Sequence, residues 1–162
     1  MARVYVSIGS NIDRAVHIRA GVAGLRARYR DLILSSVYET RAVGFDGDDF
    51  YNLVAGFETG QDVLRVAGEL RDIERAAGRG RGAGRFVART LDLDLLLYDD
   101  LVMNDNGIKL PRDEILEYGF VLGPLAEIAG DRRHPVLGVT FAELWAGFDT
   151  AGEPLVPVPF QW

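Results

Sequence analysis

Apolar and polar residues alternate at the start of the chain. Val4, Val6 and Ile8 are set against Tyr5 and Ser7, and the run stops at Gly9. A period of two predicts a strand with one buried face. From about Ile12 the period lengthens, and Ala15, Ile18, Val22 and Leu25 form one stripe of a helix that runs into residues 26–30, with Asn11 as its expected N-cap. Residues 32–39 are β-rich and predict a second strand, and residues 51–58 a third. Between them the polar stretch 40–49, with Gly44 and Gly47, reads as a long loop.

Residues 61–77 carry the clearest helical pattern, with Val63, Val66, Ala67, Leu70 and Ile73 on one side and Gly78 at the stop position. A loop of Gly and Arg follows over 78–88, then a fourth strand over 90–98. The order βαββαβ predicts an α+β fold, a ferredoxin-like antiparallel sheet with two helices on one face. Beyond it, residues 101–103 suggest a short edge strand, and a weak helical stretch lies between Pro111 and Gly119. Helices are expected over 120–129 and 140–145, ahead of an extended, proline-bearing tail over 154–162. This last third forms a C-terminal helical extension. No repeat or linker interrupts the chain, so one domain over 1–162 is expected.

Composition narrows the function. A chain of 162 residues with 48% apolar residues can build one core, and 26% charged residues is ordinary for a globular protein. No apolar run approaches the length of a membrane helix, and residues 1–9 lack the features of a signal peptide. Cysteine is absent, which excludes disulfides and thiolate chemistry and, without a signal peptide, leads to a cytoplasmic expectation. With only His17 and His134, a metal here would be a hard cation on carboxylates.

The net charge of −6 argues against nucleic acid as a partner. Locally the sign reverses. Six arginines (71, 75, 79, 81, 85 and 89) run directly into Asp92 and Asp94. A basic loop beside paired carboxylates suggests a polyanion held together with a divalent metal.

Strict alternation in residues 89–97 would put Leu91, Leu93, Leu95 and Leu97 on one face and both aspartates on the other. Carboxylates two residues apart on a strand stand roughly 6–7 Å apart at the backbone. Their side chains could converge on a pair of magnesium ions about 3.5–4 Å apart. Alone, the segment equally describes an amphipathic strand with a solvated face. The upstream arginines favour phosphoryl chemistry, which needs both metal ligands and phosphate forks. No P-loop is present, and Lys109 is the single lysine.

The run Gly78-Arg79-x-Arg81 followed by Arg89-Thr90-Leu91-Asp92-Leu93-Asp94 closely resembles the signature of the hydroxymethyldihydropterin pyrophosphokinases. Ile8-Gly9-Ser10-Asn11, Tyr38-Glu39-Thr40 with Gly44, Phe50-Tyr51-Asn52, Ile73-Glu74, the segment from Gly119 to Ala129 and His134-Pro135 add matches over nearly the whole chain. That family's fold is ferredoxin-like, in agreement with the strand and helix order.

The resemblance implies an enzyme that moves pyrophosphate from ATP to 6-hydroxymethyl-7,8-dihydropterin in folate synthesis and releases AMP. It implies that Asp92 and Asp94 hold two magnesium ions and act with Arg79 and Arg89 in catalysis. ATP would meet Arg71, Arg81, Arg85, Phe86 and Arg112, the glycines at 78, 80, 82 and 84 letting the arginine loop close. Phe50 and Phe120 would sandwich the pterin, Asn52 would read its edge, and Thr40, Val43 and Gly44 would complete that edge. Glu74 is expected to make a structural hydrogen bond, His17 to sit on a helix surface and His134 in a turn. A monomer binding only small molecules, with no nucleic acid and no membrane, is the simple expectation.

The departures from the family pattern fall mainly on the nucleotide side. Arg112 and Asp113 stand where a histidine is usual, Tyr118 where an arginine is, and Arg71 where a glutamine is. Phe86, Ala88 and Ala42 replace a frequent Trp and two frequent prolines. A pyrophosphokinase for another pterin fits the same residues, and a non-catalytic pterin- or nucleotide-binding domain is the further alternative, against which Asp92, Asp94 and Arg89 speak. An RNA-binding sheet does not fit, because the fourth strand presents aspartates rather than aromatic residues.

Overall fold

The computed structural model describes residues 1–41, 49–78 and 91–162. Its centre is an antiparallel sheet of β1 (Ala2–Ser10), β2 (Arg30–Leu34), β3 (Val37–Thr40), β4 (Phe50–Thr59) and β5 (Asp92–Tyr98), with the two-residue strand β8 (Pro157–Val158) added late in the chain. The order is β5-β1-β4-β3-β8, and β2 also pairs with β4. Strands β2 and β3 occupy one position in the sheet, since β2 faces the late part of β4 and β3 its beginning. The expected second strand is thus present but broken at Ser35 and Ser36. Here the Ser35 hydroxyl accepts the Val54 amide at 2.9 Å, and the Glu127 carboxylate takes both the amide and the hydroxyl of Ser36.

Helices α1 (Arg14–Arg28) and α2 (Val63–Ala76) cover one face. Val4, Val6, Ile8, Leu53, Ala55 and Phe57 point toward them and meet Ile18, Val22, Leu25, Val66, Leu70 and Ile73. Asn11 does not cap α1. The residue before that helix is Asp13, in the left-handed region with φ 42°, and its side chain makes no capping bond. In α2, by contrast, Asp62 accepts the Arg65 amide at 2.8 Å, and Gly78 takes φ 91° just beyond the end.

Among the described residues the opposite face is only partly covered. Helices α3 (Glu114–Glu117), α4 (Gly119–Ala129) and α5 (Phe141–Ala146) bury Tyr5, Val54, Leu96 and Leu97 in a second core. The hairpin of β6 (Met103–Asp105) and β7 (Ile108–Leu110) replaces the single edge strand expected at 101–103. Its turn is Asn106-Gly107, with φ 53° and 74°, the left-handed pair that a tight hairpin requires.

Leu97 departs from the alternation read in the sequence. A register shift lies between Tyr5 and Val6, which face Leu97 and Leu95, so Leu96 is the extra residue of a bulge. The bulge changes the strand's phase. Leu91, Leu93 and Leu95 join the core beneath α1 and α2, while Leu97 turns to the C-terminal helices. Among the described residues no helix is long and apolar enough to cross a membrane.

Candidate functional site

The uncovered half of the second face is where the chemistry-bearing residues gather. Cross-strand pairing fixes which residues share it. Asp92 lies opposite Gly9, Gly9 opposite Asn52, and Asn52 opposite Tyr38. One row therefore runs from the aspartate of β5 to the amide of β4. Neighbouring strands are about 4.8 Å apart, so Asp92 and Asn52 are separated by roughly 10 Å at the backbone. The next row is Asp94, Ser7 and Val54, and Val54 already belongs to the core under α4. The boundary between open and covered sheet passes through this row.

Glycine is required in the middle of the first row. A Cβ on Gly9 would lie 2.9 Å from the Asn52 side-chain oxygen and 3.7 Å from the Phe50 ring. Asn52, 9% exposed, lies across this space and donates its Nδ2 to the Thr40 hydroxyl at 2.5 Å. Phe50 opens β4 directly opposite Thr40. Phe120, in the first turn of α4, faces a cleft of about 800 Å³ that Thr40 also lines. Its ring is stacked on Tyr118, with centroids 5.0 Å apart and planes 18° apart. Thr40 thus links Phe50 and Asn52 on β4 to the cleft of Phe120, and Tyr118 joins Phe120 there.

On the other side, Asp94 shares a small cavity of about 30 Å³ with Arg71, Arg112 and Lys109. Arg112 Nη2 lies 3.6 Å from the Asp94 carboxylate. Its buried Nε is 3.1 Å from Glu114, within ion-pair range but not aligned for a hydrogen bond. Lys109 is held by Asp113 at 2.9 Å and Arg71 by Glu74 at 3.2 Å. Lys109 was not singled out by its sequence context. The Asn106-Gly107 dipeptide was the available signal, because the hairpin it closes carries Lys109 to this cavity.

Glu74 has the structural role expected of it. It is 1% exposed, and its Oε2 accepts the Leu93 amide at 2.8 Å. His134 sits in its turn as expected, its Nδ1 accepting the amides of Val136 and Leu137. His17 is a partly exposed residue of α1. Arg79, Arg81, Arg85, Phe86, Arg89, Val43 and Gly44 lie outside the described residues, as do the glycines at 80, 82 and 84.

Burial raises the Asp94 carboxyl to about 6. Arg112 opposes the rise, and the carboxylates of Asp92, Glu74 and Glu114 add to it. Among the described residues no group of three or more acidic or histidine side chains is placed to hold a metal ion, so a hard divalent cation here would rest on the aspartate pair and on ligand oxygens. Asp92 and Asp94, on one strand face, are the residues that would hold it.

A family model described as 7,8-dihydro-6-hydroxymethylpterin-pyrophosphokinase (HPPK) matches residues 5–130. The 2-amino-4-hydroxy-6-hydroxymethyldihydropteridine pyrophosphokinase of Methylorubrum extorquens is 35% identical over 156 residues, which cover 94% of this chain and 97% of that protein. The folic acid synthesis protein fol1 of Pneumocystis carinii is 32% identical over 166 residues, 98% of this chain but only 22% of its own length. The fold also matches a crystal structure of Plasmodium falciparum HPPK-DHPS with pteroate, with TM-score 0.71 and 14% identity over 90% of this chain and 44% of that one. The chain therefore spans less than half of those two longer proteins. By the family match over most of its length and its identity to relatives of similar size, this chain belongs to the 7,8-dihydro-6-hydroxymethylpterin-pyrophosphokinase family.

Proposed function

We propose that this protein transfers pyrophosphate from ATP to the hydroxymethyl group of 6-hydroxymethyl-7,8-dihydropterin, a step of folate synthesis. The observation that carries the proposal is the row Asp92, Gly9, Asn52 on one open sheet face. It sets paired carboxylates roughly 10 Å from a buried amide, a span that suits a pterin ring with a diphosphate growing from its side chain.

In this reading the substrate hydroxyl oxygen attacks the β-phosphorus of ATP. The bond from that phosphorus to the oxygen bridging it to the α-phosphorus breaks, AMP departs, and the hydroxyl proton passes to solvent. Two magnesium ions on Asp92 and Asp94 would neutralise phosphate charge and polarise the attacked phosphorus. Arg71, Lys109 and Arg112 are the cations we assign to the triphosphate, and the family resemblance adds Arg79, Arg81, Arg85 and Arg89. Asn52 and Thr40 read the pterin edge, and Phe50 and Phe120 take its two faces. The protein's work is positioning and charge neutralisation, with no covalent intermediate. We assign this work to one domain acting as a monomer in the cytoplasm, a compartment in keeping with a sequence that carries no cysteine.

The test is to incubate the protein with ATP, magnesium and the dihydropterin alcohol and to separate the nucleotides. AMP in equal amount to pterin diphosphate, absent in an Asp92→Ala/Asp94→Ala variant, is the expected result. ADP as product, or AMP undiminished in that variant, overturns the reading.

A further inference from the structure

Helix α1 packs on the sheet face opposite the candidate site, yet its first residue reaches the strands that carry Thr40 and Phe50. Arg14 donates from Nη1 to the Asp49 carbonyl at 3.1 Å, and its Nη2 lies 2.5 Å from the Glu39 carboxylate. Its guanidinium rests over the Tyr51 ring, 3.9 Å from the centroid. One side chain thus meets β3, β4 and the residue that leads into β4.

The register gives these contacts their meaning. Glu39 lies opposite Tyr51, and Thr40 opposite Phe50. Successive residues of a strand point to opposite faces, so Glu39 and Tyr51 stand behind the sheet while Thr40 and Phe50 stand on the site's side. Arg14 therefore holds the neighbour of Thr40 on one strand and both neighbours of Phe50 on the other. Tyr51 is backed in turn, since Phe160 meets the edge of its ring at 5.8 Å and Arg19 lies 5.3 Å from the Phe160 centroid.

Gly9 is tied to the same point. The chain passes from Gly9 into α1 through residues 10–13, a turn in which the Ser10 hydroxyl and His17 Nδ1 both contact the Ile12 carbonyl, at 3.2 and 2.6 Å. An ordinary exposed ion pair would contribute little. Here the planar fork is divided among a carboxylate, a carbonyl and a ring, an arrangement that fixes its orientation and that a lysine does not reproduce.

We propose that Arg14 is a positioning residue for the pterin. From behind the sheet it sets the spacing of Thr40 and Phe50 and, through the Thr40 hydroxyl, the orientation of the Asn52 amide, without touching the ligand. This rests on the pterin reading above and adds to it a residue that the ring never meets. Support of this kind holds recognition groups in a productive geometry that they do not keep unaided.

Wild type, Arg14→Met and Arg14→Lys are compared by fluorescence titration with 6-hydroxymethylpterin and by steady-state kinetics with ATP, magnesium and the dihydropterin alcohol. For Arg14→Met the expected result is pterin affinity weakened about tenfold and KM for the pterin raised as much, with kcat and the affinity for a non-hydrolysable ATP analogue held within about twofold. Arg14→Lys should recover only part of the loss, because an ammonium can meet Glu39 but not the carbonyl and the ring together. Unchanged pterin affinity in Arg14→Met, with only a loss of stability in urea, overturns the positioning role and leaves the pterin site standing. An equal fall in affinity for the ATP analogue overturns it as well. Should Arg14→Met fail to fold, Arg14→Lys decides, and wild-type pterin affinity in that variant overturns the proposal. Failure of the wild type to bind the pterin overturns the pterin reading and this inference with it.

Discussion

The Glu74 carboxylate accepts the backbone amide of Leu93 at 2.8 Å, at the residue that separates Asp92 from Asp94. Among the described residues strand β5 lies at the edge of the sheet, and this amide has no strand partner on its outer side. A buried side chain from α2 takes that place and fixes the spacing of the two aspartates. Glu74→Ala leaves a buried amide without its acceptor, which costs about 1–3 kcal/mol. Urea unfolding should show that loss, and isothermal titration should show weaker magnesium binding. Unchanged magnesium affinity would reduce Glu74 to a purely structural contact.

Asp94 makes stability depend on pH with a definite sign. Burial, reinforced by Asp92, Glu74 and Glu114, raises its carboxyl to about 6 from an ordinary value of 3.8. Between those values the folded protein keeps a proton that the unfolded chain has lost, so folding is favoured at the acid end and loses this advantage as pH rises through about 6. Metal-free wild type should therefore lose stability relative to Asp94→Asn from about pH 4 to about pH 6.5 and run parallel to it above that. Magnesium competes with the same proton, and its affinity should fall as pH drops below about 6. Parallel pH profiles for the two proteins in urea over that acid range would contradict this.

Gly9→Ala is expected to act on the pterin side alone. The added methyl group needs the space occupied by the Asn52 side-chain oxygen, 2.9 Å away, and would force the amide off its bond to Thr40. Pterin affinity should fall about tenfold, in line with one misplaced polar contact of roughly 1–2 kcal/mol. Affinity for a non-hydrolysable ATP analogue should hold. A matched fall in both affinities would mean that β1 itself had shifted.

The Tyr118–Phe120 stack gives a further check. With its ring backed at 5.0 Å, Phe120 is held in one orientation at the cleft. Offset aromatic pairs contribute about 0.5–1.5 kcal/mol, so Tyr118→Ala should weaken pterin binding roughly three- to tenfold, and Tyr118→Phe should restore it. Fluorescence quenching of the bound pterin reads both.

Much of this arrangement was legible in the sequence. The order of strands and helices followed from periodicity and from the polar and glycine-bearing breaks between segments, even though β1 and β4 are largely buried on both faces. The aspartate pair was suggested by alternation beside the arginines, whereas Phe50, Asn52 and Phe120 were singled out only by the resemblance to the family. Other features depended on long-range contacts. The phase change at Leu96 answers to Tyr5 and Val6 on β1, which local alternation does not register. Asn11 has a capping residue's chemistry, yet the chain enters α1 through a left-handed Asp13 instead. Tyr118 and Lys109 acquire partners only when α4 and the β6–β7 hairpin fold against the sheet. The packing of Trp145 and Phe148 on α4 is foreshadowed by Gly119 and Gly123, glycines whose purpose becomes visible once the tail rests on them.

The second sheet face is core at one end and open at the other, and this bears on what a ligand does to the protein. A flat ring seated between Phe50 and Phe120 would continue the layer that Val54 and Leu97 begin, taking the place of a side chain that the described residues do not supply. Binding should then carry a thermal signature close to that of folding itself, a negative heat-capacity change as apolar surface leaves water. In that sense the substrate is the last piece of the interior, and the empty enzyme is a protein whose second core is unfinished.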